Sequence, residues 1–445
     1  MPNNYSESLN NVLEKSKIQI GNRIIVTKGK QCYEGFLMPR NDSGDGSFIV
    51  LKLDSGYNIG VKFGSDVEIK KCKEQAKKKQ VVEKTKAKFD SKKPTISFIS
   101  TGGTIVSRVD YKTGGVAPLE KPEDLLAGVP ELYDIVNIKN VLNPISKASE
   151  DMHPKDWQKL ADVVAKELQT SDGVVIAHGT DTMHYTSAAL SFMLKNLSKP
   201  VVIVGSQRSS DRGSSDAAMN LICAAHLAVS DIAEVGICMH GTIDDQYCNF
   251  TRGTKARKMH STRRDAFRSI NEPPLAKVYP DGRIVIINNN YKKRSKGKVV
   301  ADTKFEHNIA MLKIYPGSDP EILEHLVKKG YKGIVIEGTG MGHVPTNSEI
   351  SWIPAIKKII KKGIPIVMAT QTIYGRVNTK VYTNLRILFS EAKAIPAEDM
   401  TPETAYVKLG FVLGHESNMD KVREMILTNM AGEITDRTEI DTFMV

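Results

Sequence analysis

The sequence predicts an α/β protein, a two-domain parallel-sheet core preceded by a small N-terminal β-barrel, and three observations predict it. From Pro94 onward, short β-rich apolar runs alternate with longer helical stretches, the pattern of a parallel sheet covered by helices on both faces. Ahead of that, from Gly21 to Val67, short alternating segments are separated by Gly, Asn and Asp turns, which is how a small barrel reads. Between them, from Glu68 to Lys93, Lys and Glu dominate and bulky apolar residues are scarce, so this stretch reads as a solvated helix or tether.

Taken in order, 5–18 carries a helical pattern with Leu9, Val12 and Leu13 on one side and Ser6 or Ser8 as its cap. The barrel strands fall at 23–26, 33–37, 47–53 and 57–61, and Asn41 to Gly46 is a polar turn suited to an exposed loop. The four units are a barrel at 1–72, a charged linker at 73–93, a first α/β domain at 94–291 and a second at 309–445. In the first, strands are expected at 95–100, 174–177, 201–204 and 235–240, with helices at 121–126, 154–168, 185–197 and 214–230. A further strand near 285–287 precedes a basic loop at 292–298. In the second, strands at 310–314, 333–336 and 364–370 alternate with helices at 320–329, 351–362 and 402–413. Two such domains face each other across a cleft.

Composition sets limits. The 445 residues suffice for two or three domains, and 40% hydrophobic with 25% charged content is ordinary for a globular protein. No apolar run approaches the roughly 20 residues of a membrane span, and the N-terminus lacks a secretory layout, so a cytoplasmic location is expected. Cys32, Cys72, Cys223, Cys238 and Cys248 are scattered without CxxC spacing, which suggests neither a disulfide framework nor a zinc site. The net charge of +11 suits a polyanionic partner, although much of it sits in the Lys-rich linker.

The chemistry gathers at two strand ends. The run Ile96, Phe98, Ile99 stops at Thr101-Gly102-Gly103-Thr104, where two glycines let the backbone bend sharply and approach a ligand between flanking hydroxyls. Alone, this is equally a tight turn whose threonines cap a helix. A second run, 173–183, ends in His178-Gly179-Thr180-Asp181. A hydroxyl and a carboxylate at one strand end, opposite a hydroxyl at another, can be assembled into a nucleophilic site. His178 is read as packing or orienting its strand end rather than ionising.

Thr101 to Ile105 (TGGTI) and His178 to Met183 (HGTDTM) resemble the signatures of the asparaginase/glutaminase amidohydrolases. The likeness continues in order through Gly205-Ser206-Gln207-Arg208, Asp216, Asn220, 258–267, Glu337-Gly338-Thr339-Gly340 and 396–413. With the N-terminal module, which a plain asparaginase lacks, the whole chain resembles the glutaminase components of archaeal tRNA-dependent amidotransferases. The resemblance implies an asparaginase-like fold and a two-step acyl transfer in which Thr104, preferred over Thr180, attacks a side-chain carboxamide. Thr180, Asp181 and Lys258 would form the activating relay. Ser149 and Glu150 would hold the substrate's α-amino and α-carboxylate ends, and Tyr111 would sit on a closing loop. An alternative for Ser149 is a cap for the 154–168 helix. Asp211, Asp216 and Asn220 are read as braces.

The likeness further implies no metal or cofactor in this chain, ATP and Mg²⁺ in a partner protein (GatE), a homodimer core giving a heterotetramer, and Glu-tRNA bound mainly through the partner. Two other readings stand beside it: a free-standing asparaginase with an added assembly domain, and a non-enzymatic RNA-binding adaptor.

Overall fold

The computed structural model describes residues 4–40, 45–53, 58–72, 89–103, 107–109, 116–118, 126, 129–209 and 214–443. The chain opens with a helix, Glu7–Lys15, whose N-cap is Ser6: its hydroxyl accepts the Leu9 N–H. Leu9 and Leu13 face inward and pack on a small sheet. Tyr5 fastens this entry, donating its hydroxyl to the Met38 carbonyl at 2.5 Å and accepting the Val50 N–H at 3.2 Å. Burial pushes that phenol up to about 12.

The small sheet holds β1 (Arg23–Lys28), β2 (Gln31–Leu37), β3 (Phe48–Lys52), β4 (Asn58–Lys62) and β5 (Val67–Lys71), in the order β4-β3-β2-β1-β5. Every pairing is antiparallel. Strand β5 corrects the sequence reading, which started the tether at Glu68. Ile69 is buried while Glu68, Lys70 and Lys71 point outward, so the strand's visible composition is that of a charged linker. Tyr57, most of the 41–46 turn and residues 73–88 lie outside the described residues.

The first large unit contains β6 (Thr95–Ser100), the short pair β7 (Ser107–Val109) and β8 (Val116–Pro118), β9 (Asn137–Leu142), β10 (Gly173–Ala177), β11 (Leu194–Lys195), β12 (Val201–Val204), β13 (Val235–His240), β14 (Cys248–Arg252), β15 (Ala256–Lys258), β16 (Phe267–Ser269), β17 (Ala276–Val278) and β18 (Ile284–Ile286). Its main sheet runs β18-β17-β14-β13-β12-β10-β6-β9. The five strands from β9 to β13 are parallel, but β14, β17 and β18 are antiparallel, so the sheet is mixed rather than parallel throughout as expected. Chain length explains it. Only Gly241 to Tyr247 joins β13 to β14, and a parallel return needs a crossover of about a dozen residues or more.

Side chains alternate along β10. Val174 and Ile176 face the helices Pro154–Glu167 and Met183–Met193, while Val175 and Ala177 face the helix Ala217–Ala228. Burial on both faces is what makes each central strand a near-continuous apolar run. The 121–126 helix expected from sequence lies almost wholly outside the described residues.

After β19 (Val300–Ala301), the second large unit is a parallel sheet ordered β20 (Ile309–Lys313), β21 (Gly333–Gly338), β22 (Ile366–Thr370), β23 (Ile395–Pro396). Helices Glu321–Lys328 and Trp352–Lys361 pack on one face, and Pro402–Leu413 with Met419–Leu427 on the other. Pro402–Leu413 is apolar nearly all round because it is shared: Leu409 and Val412 pack under the second sheet, while Phe411 stacks on Phe192 and Tyr406 meets Tyr185 edge-on. That helix joins the two large units. Among the described residues, no helix is long and apolar enough to cross a membrane, and all five cysteines are free thiols.

Candidate active site

The site lies at the carboxyl ends of β6 and β10, where an open α/β sheet leaves its crevice. Beyond β6, Thr101 ties back to the Ala177 carbonyl through its N–H (2.9 Å) and its hydroxyl (3.2 Å). The chain then turns through Gly102 and Gly103 at φ of +101° and +89°, the left-handed region that glycine enters without steric cost. A Cβ on Gly103 would stand 2.3 Å from the Gly179 Cα, and one on Gly179 would stand 2.8 Å from the Ser149 Cβ. The two strand ends and the 149–151 turn are therefore pressed together backbone to backbone. Thr104 itself, like Tyr111 and Asp211, lies outside the described residues.

At the end of β10, Thr180 is buried, and the Asp181 N–H donates to the Ser149 hydroxyl at 3.2 Å. Thr182 locks the same turn by donating its hydroxyl to the Ser149 carbonyl at 2.5 Å. Ser149 is thus not the cap of the following helix; that cap is His153, whose ring accepts the Lys155 N–H while Asp156 accepts the His153 N–H. Glu150 is exposed, and among the described residues its carboxylate has no hydrogen-bond or ion-pair partner.

The amine comes from the hairpin β15–β16, in which Lys258 pairs with Phe267. The hairpin's connection is stiffened by Asp265, which accepts from Arg263 and Arg268; these cations, Arg263 first, hold its carboxyl down at about 2. Lys258 Nζ reaches Thr180 Oγ1 at 2.9 Å and Asp181 Oδ1 at 2.7 Å. Its side chain is 10% exposed against 63% for Asp181, so the amine sits deep and the carboxylate at the mouth.

Two histidines stand behind the site, and both are neutral at pH 7. Burial depresses His178 to about 4 and His184 to about 3, the latter helped by the nearby cations Arg257 and Lys258. His178 Nδ1 donates to the Gly179 carbonyl at 2.6 Å, leaving Nε2 to accept from the Thr186 hydroxyl at 2.9 Å. It orients the turn, as the sequence reading expected. Asp216 braces from the other side: its carboxylate takes the N–H groups of Gln207 and Arg208, and burial raises it.

Sequence reasoning missed the residues that couple the hairpin to the second large unit. Arg257 pairs with Glu403 at 3.0 Å, and Lys255 with Asp399 at 2.7 Å, the latter pair wholly buried. Both acids stand close to the Thr401-Pro402 helix start, but nothing in the sequence says which cations meet them. Among the described residues, no group of three or more His, Cys, Asp or Glu is placed to hold a metal ion.

The arrangement matches known proteins. Residues 95–292 match the family described as Asparaginase, N-terminal, residues 308–426 the Glutaminase/Asparaginase C-terminal domain, and residues 18–71 the GatD N-terminal domain. Among solved structures, the thermostable L-asparaginase of Thermococcus kodakarensis is 32% identical with a TM-score of 0.69, covering 77% of this chain and 99% of its own. L-asparaginase I of Vibrio cholerae is 30% identical with a TM-score of 0.67, at the same coverage. The two large units are thus of the asparaginase class.

Curated relatives extend over the N-terminal module as well. The glutamyl-tRNA(Gln) amidotransferase D-type chain (GatD) of Thermococcus kodakarensis is 52% identical over 439 residues, 97% of this chain and 98% of that one. The proteins of the same name from Pyrococcus furiosus (50% identical, 97% of this chain and 99% of that one) and Methanothermobacter thermautotrophicus (46%, 99% of each) align end to end in the same way. The chain belongs to this GatD family of glutamyl-tRNA(Gln) amidotransferase components, built on an asparaginase core.

Proposed function

We propose that this chain is the glutaminase half of a tRNA-dependent amidotransferase, releasing ammonia from glutamine so that a partner protein converts Glu-tRNA(Gln) to Gln-tRNA(Gln). The observation that carries the chemistry is the approach of Lys258 Nζ to both Thr180 Oγ1 and Asp181 Oδ1 across widely separated segments. A threonine hydroxyl is a poor nucleophile until a positioned base takes its proton. In this reading Thr104 attacks the side-chain carboxamide carbon, the C–N bond breaks, ammonia leaves, and water then cleaves the ester. Thr180, Lys258 and Asp181 move the proton, and the Asp181 carboxylate stabilises positive charge on the amine as it takes that proton up. N–H groups of the two glycine turns stabilise the oxyanion. Ser149, Glu150 and Asp181 hold the α-amino and α-carboxylate ends, and Tyr111 rides on a loop that closes over the site and excludes water.

Free ammonia protonates at neutral pH and loses its nucleophilicity, so making it next to its consumer has a clear advantage. In this reading the partner is GatE, two copies of this chain form the core of a heterotetramer in the cytoplasm, and the N-terminal sheet closes into a barrel that serves protein contact. ATP and Mg²⁺ belong to the partner, which also supplies most of the tRNA contacts. A second reading, a free-standing asparaginase, is favoured by the solved structures, but those cover 77% of the chain. The test is ammonia release from glutamine and from asparagine by the chain alone, with the partner, and with partner plus Glu-tRNA. Near-idleness alone and acceleration in the full complex are expected. Equal rates throughout would favour the asparaginase, and no release in any state would end the amidohydrolase reading.

A further inference from the structure

Lys258 and Thr180 are joined by their direct hydrogen bond, and also by a longer route through side chains that never reach the site. From Lys258 the hairpin connection runs to Arg264, whose guanidinium donates to Asp245 Oδ1 at 2.7 Å and also grips the Ile243 carbonyl. The same Asp245 oxygen lies 3.0 Å from His240 Nε2. The His240 ring is wholly buried, and its Nδ1 lies 2.6 Å from Asn220 Oδ1. Asn220 cannot turn round, because its Nδ2 donates to the Gly205 carbonyl at 2.9 Å and to Asp216 Oδ2 at 3.0 Å. Asp216 in turn holds the N–H groups of Gln207 and Arg208. The circuit closes at Gly205, where an added Cβ would lie 2.9 Å from Thr180 Cγ2 and 2.8 Å from the His178 carbonyl oxygen.

We infer that Arg264, Asp245 and His240 are positioning residues that set the separation of Lys258 and Thr180. The argument is mechanical. A long lysine side chain on a two-stranded ribbon keeps its register only as well as the ribbon does, and proton transfer tolerates little misplacement. The β15–β16 hairpin is short, and its connection is pinned near the tip by Arg264 to a loop that is itself tied, through a buried ring with an oxygen against each nitrogen, to the turn lying on Thr180. Every link spans different elements, so loosening one shifts the amine relative to the hydroxyl rather than unfolding the sheet.

The inference rests on the glutaminase reading for its kinetic test and on geometry alone for its structural one. In the complex with its partner and Glu-tRNA, Arg264→Ala and Asp245→Ala should each lower kcat for glutamine about tenfold with KM within about twofold. The double variant should lose no more than the worse single, because both cut one chain, and Arg264→Lys should recover most of the loss. Crystals of the Arg264→Ala chain should show Lys258 Nζ beyond about 3.5 Å from Thr180 Oγ1. Unchanged kcat in the variants, losses that multiply in the double, or an unmoved Lys258 would each overturn the inference. Absence of ammonia release from the unsubstituted complex would instead strike the glutaminase reading, leaving the crystal distance to decide this one.

Discussion

Lys255 and Lys258 stand on one short stretch of chain and each meets a carboxylate at 2.7 Å, yet they have opposite tasks. Lys255 and Asp399 are both fully buried, and the pair clamps the first large unit to the second, with Asp399 also taking the Thr435 N–H at 3.0 Å. Burial pushes the Lys255 amine down, and Asp399 pulls it partly back. Lys258 has its partner at the mouth of a crevice, where solvent screens the charge and the amine has a hydroxyl to serve. Distance alone does not tell a structural ion pair from a working one; what surrounds the pair does.

The sharpest way to separate the two is to remove each amine. Lys258→Met should lower kcat by about three to four orders of magnitude, some 4–5.5 kcal/mol, while the urea midpoint of the full chain moves little. Lys255→Met should do the reverse. Stranding the Asp399 carboxylate inside the protein should cost about 3–5 kcal/mol of unfolding free energy, and Asp399→Asn added to it should restore part of that by removing the orphaned charge.

Acid probes the same wall from behind. His178 is held at about 4 in the folded chain against 6.5 in its absence, so below pH 6.5 the unfolded chain binds a proton that the fold refuses. Stability should fall by about 1.4 kcal/mol per pH unit from this ring between 6.5 and 4, about 3 kcal/mol in all, and urea titrations of His178→Gln should be flatter by that slope. Smallest, Ser149→Ala should raise KM for glutamine about tenfold, some 1.4 kcal/mol, with kcat nearly kept, because it removes a hydroxyl that holds the Asp181 N–H rather than the group that moves the proton.

Much of this was legible in the sequence, and the exceptions have physical causes. The helix Pro402–Leu413 was readable to the residue because Thr401 caps it and Pro402 opens it. Strands β6, β12 and β13 were equally plain, as buried parallel strands are apolar without interruption. Strand β5 was hidden by its own outward lysines, and β14 by a hairpin return that resembles a loop until chain length is weighed. At the site, Thr180, Asp181 and Lys258 were found through motifs, but their convergence is a tertiary fact. Which residue caps the 154–167 helix was not decidable, because Ser149 and His153 both precede it with suitable acceptors, and only the approach of Asp181 takes Ser149 away.

The contact between Gly103 and Gly179 bears on attempts to redesign this protein. Widening a pocket ordinarily means trimming a side chain, and on this wall there is none to trim: the lining is main chain against main chain. A bulkier amide could be admitted only from the opposite rim, so changes of substrate preference must be sought where Ser149, Glu150 and the second large unit face the crevice, while every exchange at these two glycines narrows it.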